Sequence, residues 1–63
     1  MTVIMTGSYY SEGHQHLVKV LRVGEQEFEL AGHAAGPRPA PYRRPVTVWE
    51  LLILSSVVSF QPA

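Results

Sequence analysis

The side chains able to carry chemistry in this chain are few: three histidines, five carboxylates that are all glutamates, and five serines, with no cysteine. His14 and His16 stand two apart in a stretch with strand character, so they share a face about 7 Å apart, with Glu12 and His33 as further donors that could complete a zinc or copper site. Two histidines without a second motif at ligand spacing make a weak metal signature. Exposed strand-end histidines are the plainer reading, and no metal or other cofactor is assigned. Catalysis finds no better footing. The chain lacks aspartate, a P-loop, a dinucleotide fingerprint and a G-x-S-x-G elbow, and 63 residues leave little room for a pocket that excludes water. The expectation is a protein that is not an enzyme.

Arg38, Arg43 and Arg44 surround Tyr42, a grouping that could grip phosphates while the ring stacks on a base. Three arginines are few for that task, and five basic side chains against five acidic ones leave no net field to draw in a nucleic acid. Salt bridges to Glu27 or Glu29 are the simpler use of these cations. Nucleic-acid binding, by an oligomer that pools the Arg38/Arg43/Arg44 arms of several subunits, is therefore the alternative function rather than the leading one.

The elements that must position these groups are organised around residues 46–60, VTVWELLILSSVVSF, which hold nearly half of the large apolar side chains. Thr47 followed three positions later by Glu50 is a capping box, and it predicts a helix over 47–60. On that helix Trp49, Leu51, Ile53, Leu54, Val57, Val58 and Phe60 spread over more than half the circumference, too wide an arc for one small sheet to cover. The branched and aromatic residues also allow a buried strand here, but fifteen residues exceed the usual strand length. As a membrane span the stretch is too short: fifteen helical residues rise about 22 Å against a hydrocarbon core of about 30 Å.

Upstream, residues 2–10 and 14–23 have strand composition, separated by a turn at Ser11, Glu12 and Gly13. Gly24-Glu25 fits a two-residue hairpin turn leading to a third, edge strand over 26–31, where Phe28 and Leu30 alternate with Glu27 and Glu29. Residues 32–46 carry Pro37, Pro39, Pro41 and Pro45 and read as an extended linker. The resulting expectation is an α+β domain: a small antiparallel β-meander of two or three strands over 2–31, a proline-rich linker, and one C-terminal apolar helix.

A chain of this length buries only about 60% of the surface its unfolded form exposes, and without cysteine it has no disulfide to staple it. Self-association is the natural remedy. The expected function is a small protein-binding module, forming a homo-oligomer or serving as an accessory subunit or inhibitor of a larger protein, as proteins of this size in phages and mobile elements often do. Its expected contact residues are Trp49, Ile53, Leu54, Val57, Val58 and Phe60 on the helix, with Tyr42, Arg43 and Arg44 on the arm. The N-terminal MTVIMTG lacks the charge and apolar run of a signal peptide, and with no cysteine the expected setting is cytoplasmic.

Overall fold

The computed structural model describes residues 2–33 and 40–63. Its strands β1 (Thr2–Ser11), β2 (His14–Arg22), β3 (Phe28–His33) and β4 (Pro41–Val46) are followed by helix α1 (Val48–Leu54) and strand β5 (Ser59–Pro62). All five strands join one antiparallel sheet in the order β4-β3-β2-β1-β5. The chain meanders from β1 to β4, crosses one face of the sheet as α1, and returns on the far side to pair β5 with β1.

Turn chemistry sets the first hairpin. Glu12 and Gly13 both have positive φ, 53° and 79°, the combination a two-residue type I′ turn requires, and Ser11 pairs directly with His14. The second connection differs from the tight Gly24-Glu25 turn expected. Residues 23–27 form a wider loop, closed by the Val23 and Gly24 amides donating to the Glu27 carbonyl, and Gly24 has no positive φ. The Arg22 side chain donates to the Gly24 and Glu25 carbonyls and lies 5.9 Å from the centre of the Phe28 ring, so the loop is held by a cation instead of a glycine conformation.

The meander of two or three strands with a C-terminal helix is overturned in three places. First, Pro41–Val46 of the expected linker is a strand. Its prolines are tolerated because β4 is at the sheet edge, where a missing N–H breaks no ladder bond. Second, β3 is consequently interior and not an edge. Third, the helix stops at Leu54 instead of reaching Phe60, and Ser59–Pro62 is a strand. The hydroxyls of Ser55 and Ser56 donate to the Leu52 and Ile53 carbonyls at 2.7 Å each, a local alternative to helical bonding, and the branched Val57 and Val58 beyond them disfavour another turn. The portion of the linker at 34–39, Arg38 included, lies outside the described residues.

The helix start follows its cap. Thr47 is the N-cap, and its hydroxyl accepts from the Glu50 amide at 3.2 Å. The reciprocal half of the capping box is not used, since the Glu50 carboxylate turns to Arg44. Thr47→Ala is expected to lower stability by about 1 kcal/mol, read as a shift in the urea midpoint, with Thr47→Ser near neutral.

The core lies between the helix and one sheet face. Val18 and Val20 of β2, Leu30 of β3, Val46 of β4 and Val58 before β5 are buried, and Leu51 and Leu54 of α1 pack on them. Across the middle of this face runs a row of directly paired residues, Phe60, Gly7, Val18, Gly32 and Tyr42. The two glycines let the edge-strand aromatics lean inward. A Cβ at Gly7 would stand 2.8 Å from the Phe60 ring, and one at Gly32 would stand 2.8 Å from the Tyr42 hydroxyl. Gly7 thus marks a close approach, while the irregularity of β1 falls between Val3 and Met5.

Candidate functional site

Helix α1 places its apolar residues on both sides. At about 100° per residue, Leu51 and Leu54 share the side that meets the sheet, and Val48, Trp49, Leu52 and Ile53 fill an arc on the opposite side. None of the seven helical residues is buried. Trp49 is 76% exposed and Ile53 71%, and Val48 and Leu52 are exposed beside them. Val57, in the turn beyond the end of the helix, is also 71% exposed. The outward side carries more large apolar side chains than the inward one, the reverse of an ordinary surface helix.

The flank of this ridge is held by charge. Arg44 of β4 is hydrogen-bonded to the Glu50 carboxylate on α1. That bond holds the Glu50 carboxyl below its ordinary pKa and raises that of Arg44. Both groups are solvated, so the pair orients the helix edge more than it stabilises the fold.

At the C-terminal end of the helix the ridge meets a cavity of about 290 Å³ between α1 and the sheet. Val18 and Leu30 line it together with Tyr9, Tyr42, Arg44, Leu54, Val57, Val58 and Phe60. Burial raises the Tyr42 pKa, the neighbouring Tyr9 adds to the rise, and Arg44 opposes it. Tyr9 in turn stacks on His16 with ring centres 4.8 Å apart. His16 is itself buried, and its Nε2 has no hydrogen-bond partner among the described residues.

Six of the nine expected contact residues therefore gather around one cavity: Tyr42, Arg44, Leu54, Val57, Val58 and Phe60. Trp49 and Ile53 stand on the outer ridge. Val58 belongs to the core instead of the surface, because the chain turns inward there to begin β5, and Phe60 is half-buried over Gly7. Arg43 is separated from Arg44, since successive residues of a strand face opposite ways. It pairs with Glu29 on the side away from the helix. Val48 and Leu52 are the ridge residues sequence reasoning missed. Their signal was the spacing Val48, Trp49, Leu52, Ile53, which makes a stripe of its own once the helix is seven residues long.

Comparison with protein-family models, curated proteins and solved structures found no match. Among the described residues no three histidine, cysteine or acidic side chains come together in a way that could hold a metal ion. His14 and His16 lie on one strand, His14 exposed and the buried His16 ring stacked on Tyr9. Among the described residues no helix is long and apolar enough to cross a membrane.

Proposed function

We propose that the chain is a protein-binding module without catalytic activity, and that its association surface is the outer ridge of α1, Val48, Trp49, Leu52 and Ile53, continued by Val57. The observation that carries this is the reversed helix: an apolar side turned outward while the sheet already covers the inward side. Large apolar side chains left exposed side by side form the kind of patch that marks an interaction site. Trp49, at its N-terminal end, is of a residue type enriched among interface hot spots. The same surface would serve a self-associating protein, an accessory subunit or an inhibitor. The nucleic-acid alternative draws less support, because Arg43 and Arg44 face opposite ways and each is engaged by a glutamate.

The test is a triple variant, Trp49→Gln, Leu52→Gln and Ile53→Gln, made with good helix formers at exposed positions. In the cells that make it, the native chain is expected to travel in an assembly larger than its own 7.0 kDa, and the variant to elute as a single chain with an unchanged circular dichroism spectrum. A native chain that already elutes alone, or a variant that keeps its place in the assembly, contradicts the reading.

A further inference from the structure

Resting on the reading of the ridge as an association surface, we infer the chemistry of its occupant: a protein segment that presents an arginine or lysine beside apolar side chains, with the cation seated against Glu25, Glu27 and Trp49. The register of the sheet builds this site. Phe28 of β3 pairs with Val46 of β4, so the loop over 23–27 and the start of α1 leave the same end of the sheet side by side. Between them lies a groove of about 550 Å³, lined by Glu25 and Glu27 from the loop and by Val48 and Trp49 from the helix. The N-terminal end of the ridge is thus edged with negative charge.

That charge is unspent within the chain. Glu29, which also lines the groove, is paired with Arg43, and Glu50 is paired with Arg44. Glu25 and Glu27 are exposed and form no ion pair among the described residues. Arg22, the cation nearest to them in sequence, gives its guanidinium to the Gly24 and Glu25 carbonyls and to the Phe28 ring. A wholly apolar partner filling this groove would strip both carboxylates of water and return nothing, and a phosphate backbone would meet like charge. A guanidinium or ammonium group reverses that cost. It bonds to the carboxylates and lies over the indole ring, whose face attracts cations. Leu52 and Ile53, exposed further along the helix, then take the apolar side chains of the same segment.

Trp49 is the sole tryptophan and lines the groove, so its emission reads occupancy there. The probe is a capped tripeptide, leucine-arginine-leucine, titrated into the purified chain beside the same peptide with citrulline for arginine, which keeps the shape and drops the charge. The arginine peptide is expected to give a saturable change in emission with a dissociation constant at least about 5-fold below that of the citrulline peptide, a preference that fades at about 0.5 M salt. Glu25→Gln combined with Glu27→Gln is expected to abolish the preference. The fold should survive, because both side chains are exposed and the loop bonds at these residues use their main-chain carbonyls. Equal responses to the two peptides, no response to either, or a preference that outlasts the loss of both carboxylates each overturn the proposal. In extracts of the cells that make the chain, Glu25→Lys combined with Glu27→Lys is expected to release it from its assembly. An assembly that survives this charge reversal but not the loss of Trp49, Leu52 and Ile53 overturns the basic partner alone. An assembly indifferent to both changes overturns the association surface as well.

Discussion

Valine in place of Gly7 is expected to lift β5 from the sheet and to lower stability by about 3 kcal/mol. A side chain there begins with a Cβ 2.7 Å from the Val58 Cγ1 and 2.8 Å from the Phe60 Cδ1, distances at which something must move. The Phe60 ring could rotate away. The Ser59 carbonyl oxygen, 3.0 Å from the same point, could not, because it is part of the backbone that pairs β5 with β1. Moving it draws Val58 out of the core, so the damage spreads from an edge strand to the centre of the molecule. The control is Thr6→Val, which places the same valine at the adjacent, exposed position by exchanging a hydroxyl for a methyl group and is expected to stay within about 0.5 kcal/mol of the parent. Urea titrations of both variants at high dilution give the comparison.

A loss of similar size is expected from Leu30→Ala. Leu30 sits on interior strand β3, paired with Val20 on one side and Arg44 on the other, and belongs to the buried cluster under the helix. Truncating a buried leucine costs about 2–5 kcal/mol through lost transfer energy and the cavity left behind. A domain of 63 residues has only about 3–9 kcal/mol in total. Each kcal/mol moves the thermal midpoint by about 4–8 °C at this size, so the variant should melt well over ten degrees below the parent. Leu17→Ala removes the same atoms from an exposed position on β2 and should leave the midpoint nearly unchanged. Equal losses from Leu17 and Leu30 would show that the core does not lie where Leu51 and Leu54 meet the sheet.

The elements that could be read from sequence were those whose local signals agree with their surroundings. β1, β2 and the turn at Glu12 and Gly13 announce themselves by branched residues and a glycine with the right neighbour, and Thr47 caps the helix it was expected to cap. β4 was hidden because proline is a strand breaker everywhere except at an edge, and whether a strand is an edge is a property of the whole sheet. The division of residues 46–60 into a helix and a strand was hidden for a different reason. The stretch is apolar throughout, so periodicity could not mark the boundary, and the marker that does exist, a pair of serines bonding back to the preceding turn, also suits a helix interior.

That division also changes how the surplus apolar surface is used. Had the helix run to Phe60, Val58 and Phe60 would lie on its surface. With the chain turned back as β5, they fill the core and cover Gly7, and the surplus is concentrated on one side of two helical turns. The exposure of Trp49 was legible because no short helix packed on a single sheet could bury both sides. Arg43 and Arg44 read as one cationic arm, but their strand sends them to opposite faces, and their engagement by Glu29 and Glu50 follows from strand register that the sequence does not display.

The most direct test of the ridge is a photoreactive amino acid placed at position 53 in one variant and at position 17 in another, irradiated in the cells that make the protein. Both positions are strongly exposed, the first on the outer side of α1 and the second on the sheet face away from the helix core, so reactivity differs only through what lies against them. Covalent protein adducts from position 53 and none from position 17 are the expected result. Adducts from position 17 with none from position 53 would contradict the account and move the association surface to the open face of the sheet.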